Sequence, residues 1–270
     1  MGLEYEQMAG ARASGIGEAV SSMEGDIDLI HYNPAGIAAL KRSNAGFNYM
    51  MGFSDIYFTS VMYGHPFPFG VIGGSYSYLN GGSLEISEGQ FLNAQSDIVV
   101  TLSFATHMLK ELSFGANVKF LSSTLVQLVS AQSWAFDIGF LYRIPKGINL
   151  SLVLQNVGTP LQYYIKPEQL PTNARAGISY CFDVTNSMFL NTSFELKYYV
   201  NENEFLPSIG AEFGCGKELV LRAGYVFNST RGVTMGAGFN LMNYKIDYAF
   251  EFANNISTFG NHRIGFSVGF

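Results

Sequence analysis

The sequence predicts an all-β fold, a transmembrane antiparallel β-barrel of about fourteen strands with an N-terminal helical plug in its lumen. Three observations predict it. Charged residues are only 13% of the 270-residue chain and hydrophobic residues reach 48%, yet no run of about 18 residues is apolar enough for a membrane-spanning helix. After residue 43, segments of about ten residues alternate apolar with polar, the period of a strand. Opposite the apolar face stand Gly, Ser, Asn and isolated charges, where a soluble sandwich would carry Lys and Glu.

Residues 1–42 are the expected plug segment and residues 43–270 the barrel. The first part is rich in small residues and broken by Asn33-Pro34-Ala35-Gly36, a turn signal. Strands are predicted over 44–53, 55–64, 67–79, 95–108, 110–122, 131–143, 147–157, 172–183, 187–200, 204–214, 217–228, 231–241, 243–253 and 261–270. In 244–252, Tyr244, Ile246, Tyr248, Phe250 and Phe252 share one face, and Lys245, Asp247, Ala249 and Glu251 the other. Short turns follow the even strands, among them His65-Pro66, Pro145-Lys146 and Asp183-Val184-Thr185-Asn186. The longest connections, 80–94 and 158–171, follow odd strands. That parity puts both chain ends on the periplasmic side of a bacterial outer membrane, with an export signal already removed. The last strand, with Arg263, Gly265, Val268 and Phe270, has the pattern of a barrel assembly signal.

A net charge of −6 and a pI near 5.2 argue against a nucleic-acid partner. Cys181 and Cys215 fall on strands separated by a third, about 10 Å apart, beyond disulfide reach. The four histidines lack metal-ligand spacing. Gly15-Ile16-Gly17 lacks the third glycine and the preceding strand of a dinucleotide loop. Lumen charges are expected at Lys119, Asp137, Arg175, Glu195, Lys197, Glu212, Arg222, Lys245, Asp247, Glu251 and Arg263. Asp247 and Glu251 would lie about 13 Å apart, too far to share a proton. These charges read as ion pairs, with Arg12 as a plug-side partner for one carboxylate. No enzyme, metal or cofactor is expected.

Gly10-Ala11-Arg12-Ala13, Gly15-Ile16-Gly17-Glu18-Ala19, Asp26 and Asn33-Pro34-Ala35-Gly36-Ile37-Ala38 together resemble the N-terminal plug of the FadL-like outer-membrane family. Leu154-Gln155-Asn156-Val157-Gly158-Thr159-Pro160-Leu161, Leu170-Pro171 before Arg175-Ala176-Gly177, and Ile246-Asp247-Tyr248-Ala249-Phe250 resemble its PorV/PorQ branch, associated with type IX secretion. The resemblance implies a plugged fourteen-strand barrel. It implies passage or binding of long-chain fatty acids or other hydrophobic molecules, or else a non-transporting scaffold that binds secreted cargo or secretion-system proteins. Its other neighbour would be outer-membrane lipid. A kinked third strand opens the wall sideways in that family, and Gly73-Gly74 is the matching candidate here, although paired glycines also make room for a plug.

Arg12, Asn33, Pro34 and Ala35 are the plug and gate candidates, although Asn-Pro also serves as a plain turn. Ile16, Val20, Met23, Leu29, Ile30 and Ile37 on the plug, with Phe189 and Leu141 on the wall, are candidates to line a hydrophobic ligand site or to pack the plug.

Overall fold

The computed structural model of the chain describes residues 10–52, 55–87, 89–163, 167–185, 187–216, 218–228, 231–253 and 261–270. Residues 1–9 of the expected plug and Asn186 of the expected turn lie outside them. Fourteen strands form one closed barrel: β1 (Asn44–Met51), β2 (Ile56–Phe67), β3 (Gly70–Gly81), β4 (Gln95–His107), β5 (Leu112–Leu125), β6 (Val129–Ile144), β7 (Ile148–Gly158), β8 (Asn173–Thr185), β9 (Met188–Tyr199), β10 (Glu204–Cys215), β11 (Leu219–Val226), β12 (Arg231–Leu241), β13 (Tyr244–Ala253) and β14 (Asn261–Gly269). Each strand pairs antiparallel with the next, and β1 pairs with β14, Asn44 opposite Gly269, to close the circle. Closure leaves no edge of unpaired backbone, the condition for crossing hydrocarbon with strands.

The wall is inside out relative to a soluble protein. Leu152 is 60% exposed while Arg263 is 1% exposed. Along β6, Trp134, Phe136, Ile138, Phe140 and Tyr142 point outward, and Ser133, Ala135, Asp137, Gly139 and Leu141 point inward. Apolar side chains facing outward all around the barrel need a lipid environment. All eleven charges expected in the lumen are on inward positions. Phe67/Phe69 and Tyr225/Phe227 ring pairs add aromatic bulk near strand ends, where interface girdles sit.

Some expected boundaries need correction. The turn expected at His65-Pro66 falls instead at Pro68-Phe69, because β2 continues to Phe67, with Pro66 paired to Val71. A proline is tolerated there because the strand is about to end. The connection before β4 contains a short hairpin of Ser83–Ser87 and Gln90–Asn93, and that before β8 a minimal one of Leu161–Gln162 and Pro167–Glu168.

Residues 10–40 lie within the barrel, with Lys41 and Arg42 exposed at its short-turn end. Their first part is bonded to the β10–β13 wall, where Gly17 N–H donates to Thr234 Oγ1 (3.0 Å). Their later part reaches the facing wall, where Asn117 Nδ2 donates to the Ile30 carbonyl (2.9 Å). Among the described residues little of this segment is helical. They contain one five-residue α-helix, α1 (Ala11–Gly15), and two 3-10 turns, Ile27–His31 and Pro34–Ala39. Gly17 and Glu18 at positive φ (64° and 61°) end the helix, and Pro34 starts a fresh turn rather than extending one.

Candidate functional site

The inner segment is held by a closed ring of alternating charges. Arg12 meets Asp26 (2.9 Å) and Glu212 (2.8 Å). Glu212 meets Arg222 (2.8 Å), and Arg222 meets Asp247 (2.8 Å). Lys245 closes the circuit onto Asp247 (3.0 Å) and Asp26 (2.7 Å). Period-two geometry puts Glu212, Arg222, Lys245 and Asp247 on the inner faces of β10, β11 and β13. Three cations and three anions cancel, so the ring is neutral where an unpaired charge would be costly. Burial alone would raise Asp26, but Lys245 and Arg12 reverse it and hold its carboxyl far below the usual range. Burial likewise works against Arg12, and Glu212 and Asp26 keep it firmly protonated.

Asp28 stands beside the ring without a cation of its own. Its Oδ1 accepts from Asn48 Nδ2 (2.8 Å). Burial, reinforced by the charge of Asp26, pushes its carboxyl up to about 7. Further pairs join Lys197 to Glu18 (3.3 Å), Arg175 to Glu195 (2.8 Å) and Lys119 to Asp137 (2.6 Å). Asp26 and Glu18 were not anticipated as pairing groups. Four acids, Glu18, Glu24, Asp26 and Asp28, in a stretch of small residues were the available signal.

Asn33, Pro34 and Ala35 lie against β5 and β6. Asn33 Oδ1 accepts from Ala35 N–H (3.0 Å), and its Nδ2 donates to the carbonyls of Ser21 (2.7 Å) and Phe140 (3.3 Å). Wall glycines admit this contact. A β-carbon on Gly139 would collide with Asn33 Oδ1, and one on Gly115 with the Pro34 and Ala35 backbone.

Ile16, Val20, Met23, Leu29, Ile30 and Ile37 are each at most 3% exposed and form one cluster with Met62, Val71 and Ala105 of the wall. The gap beside Val20, Met23 and Leu29 is about 10 Å³, too little for a ligand. In this structure they pack the inner segment against the wall, one of the two roles expected of them. Leu141 is fully buried in the wall. Phe189 does face a cavity, of about 330 Å³ at the short-turn end, but Arg12, Asp26, Glu212 and Lys245 line it as well.

Gly73-Gly74 does not open the wall. β3 pairs in unbroken register with β2 from Gly70 to Gly81 and with β4 from Val71 to Asn80. Gly73 instead accommodates Ile30, whose Cδ1 would lie 3.2 Å from an added β-carbon. A real break occurs between β6 and β7. Phe136 pairs with Val157 and Ile138 with Leu154, so Asn156 and Gln155 oppose Asp137 alone. Asn156 adopts φ 58°. Asp137 fills the break, accepting from Asn156 N–H (2.9 Å) and Asn117 Nδ2 (2.8 Å).

At the long-loop end the inner face turns apolar. Met50, Phe58, Leu79, Val99, Leu121 and Ala131 face inward there, and Leu161 and Leu170 of the connection before β8 descend onto them. Thr159 N–H, bonded to the Trp134 carbonyl (3.0 Å), starts that connection along β6. Below this vestibule lies a polar cavity of about 60 Å³ that includes Val99, Leu121, Thr101, Lys119 and His31. Burial, with Lys119 nearby, lowers His31 to about 4, so the ring is neutral at pH 7.

Arg263 is buried beside Glu251 (3.6 Å), and Gly265 faces Asn48 and Ala11. Val268 faces outward opposite Ala45, and Phe270 N–H donates to the Ser43 carbonyl (2.9 Å) while its ring stacks on Tyr63 (6.3 Å). Cys181 and Cys215 are unbonded to each other. Among the described residues no group of three or more His, Cys, Asp or Glu could hold a metal ion.

No protein-family model matches this chain, and no curated protein matches it. Solved structures do match its fold. The toluene transporter TodX of P. putida superposes with a TM-score of 0.74 at 13% identity, covering 97% of this chain and 98% of that one. The toluene transporter TbuX of Ralstonia pickettii gives 0.71 at 14%, with 97% and 98% covered. A Pseudomonas aeruginosa FadL homologue gives 0.60 at 12%, with 96% and 97% covered. The fold is therefore that of a FadL-like barrel.

Proposed function

We propose that this chain is a non-enzymatic barrel of the bacterial outer membrane that binds and passes hydrophobic small molecules, with residues 1–42 as its plug. The carrying observation is the apolar vestibule. A lumen meant only for water and ions has no use for inward Met50, Phe58, Leu79, Val99 and Leu121 at one end. Leu161 and Leu170 cover that surface, and a hydrophobic ligand replaces their contacts without exposing apolar area. The fold shared with two toluene transporters supports the reading. Below, the charge ring and the Asn33-Pro34-Ala35 turn hold the plug that a ligand must pass.

One observation favours the second reading, a PorV/PorQ-like scaffold for secretion partners. The ring ties the inner segment to β10 and β13 through ion pairs in the lumen, a fastening suited to a lumen that stays closed. The two readings separate on one measurement. The full chain is purified from outer membranes, and its bound small molecules and proteins are identified by mass spectrometry, for wild type and for a Leu161→Ser/Leu170→Ser variant. The proposal expects co-purified hydrophobic ligand in the wild type and an altered amount in the variant. A stoichiometric protein partner with no ligand in either sample would overturn it.

A further inference from the structure

The small cavity beneath the vestibule has a chemical preference of its own. Thr101 points inward from β4, is 3% exposed, and its hydroxyl has no partner among the described residues. A buried hydroxyl without a hydrogen bond costs about 1–3 kcal/mol, which a suitable ligand atom recovers. Ser75, paired across the strands with Thr101, has an unpartnered buried hydroxyl as well. Tyr32 lines the cavity too, its ring beneath the Arg175 guanidinium at 5.5 Å and its own hydroxyl unpartnered. The cavity of about 60 Å³ has room for a head group of two or three heavy atoms, and Val99 and Leu121 continue from it into the vestibule.

Its charges are already balanced. Lys119 touches Asp137 at 2.6 Å and Asn156 Oδ1 at 2.9 Å, and Arg175 touches Glu195 at 2.8 Å. Each cation lining the cavity thus has a carboxylate of the protein against it. A second carboxylate brought here by a ligand would lie near Asp137 with no counter-charge to itself, an expensive arrangement in a buried site. A hydroxyl or carbonyl meets no such penalty, and it can bond to Thr101.

We propose that this cavity receives the neutral hydroxyl or carbonyl head of an amphiphile whose hydrocarbon lies along Val99 and Leu121, and that Thr101 is the residue that selects for it. The inference rests on the hydrophobic-ligand reading of the barrel and names the class of molecule.

The full chain in lipid nanodiscs is titrated at pH 7.5 with radiolabelled decane, 1-decanol and decanoate, and binding to empty nanodiscs is subtracted. The expected order is decanol tighter than decanoate by about tenfold or more. Thr101→Val, nearly isosteric, is expected to weaken decanol about tenfold, as loss of one buried hydrogen bond would. Decane binding stays unchanged, and Thr101→Ser restores decanol. Decanoate binding as tightly as decanol, or Thr101→Val leaving decanol unchanged because water alone fills the cavity, overturns the head-group inference while decane binding keeps the function reading intact. No binding of any of the three overturns both.

Discussion

The side-chain amide of Asn33 donates to the carbonyl of Phe140 at 3.3 Å, and it reaches that carbonyl because the preceding wall residue is Gly139. The inner segment is thus fastened to β6 by its backbone, at a point where any side chain would stand in the way.

Gly139→Ala and Gly115→Ala therefore act on the inner segment more than on the barrel. The alanine methyl at 115 meets the backbone of Pro34 and Ala35, which cannot rotate aside. Overpacking of this kind costs about 1–3 kcal/mol. The expected outcome is faster hydrogen exchange across 21–40, with the folded barrel still shifting normally on a heat-modifiability gel. Gly25→Ala, where an added β-carbon meets nothing within 4 Å, is the informative contrast. Its φ of 76° makes any loss there a backbone effect, leaving contacts across the lumen intact.

Arg12 is the only ring cation carried by the inner segment, and it meets two carboxylates. Arg12→Ala leaves Glu212 and Asp26 with one cation each. Removing one partner of a buried pair costs about 3–5 kcal/mol. Arg12→Lys keeps the charge but loses the two-pronged contact of Nε and Nη2 with Glu212, and a smaller loss is expected. Limited proteolysis of the inner segment measures both. Unchanged protection in Arg12→Ala would show that the ring does not hold it.

Much of this was legible in the sequence because a strand has a period of two. Once the alternation in 134–142 is assigned, the inward position of Asp137 follows, and the same holds for the other lumen charges. The partners did not follow. Arg12 and Glu212 are 200 residues apart, and only the closed barrel brings them together. The small residues of the inner segment suit short helices or turns, and Gly15, Gly17 and Pro34 hold it to single turns. Gly73-Gly74 left two readings open because a glycine pair signals a bend and a close approach alike, and here Gly73 makes room for Ile30 of the inner segment. The bulge itself came at Asn156, which is a residue that tolerates positive φ.

Asp28 gives the inner segment a pH response. Its carboxyl titrates near 7 in the folded chain against 3.8 ordinarily, so the folded state holds this proton more tightly. The resulting stabilisation is complete below the ordinary value and declines as pH rises towards 7. Above that, a negative Asp28 lies near Asp26 and weakens the ring. Proteolytic protection of the inner segment is expected to fall between about pH 4 and 7 and to level off above that, and Asp28→Asn is expected to flatten the change. An equally steep profile in Asp28→Asn would assign the response to another group.

Asp137 serves two groups of the wall at once. Its Oδ1 takes the backbone N–H of Asn156, which the strand bulge leaves without a ladder partner, while Oδ2 faces Lys119 and Asn117. Asp137→Asn keeps an acceptor for that N–H but strands the Lys119 charge. Asp137→Ala loses both and leaves a buried donor unpaired, so it is expected to cost more, about 3–5 kcal/mol against about 2 for asparagine. Urea unfolding in detergent micelles gives the stabilities, and amide exchange at Asn156 gives the local effect. Equal losses in the two variants would mean that the charge of Lys119, and not the bulge amide, is what Asp137 is there to satisfy. Joined to Lys119→Met in a double-mutant cycle, Asp137→Asn should then become nearly neutral, whereas Asp137→Ala should keep the part of its cost that belongs to the Asn156 amide.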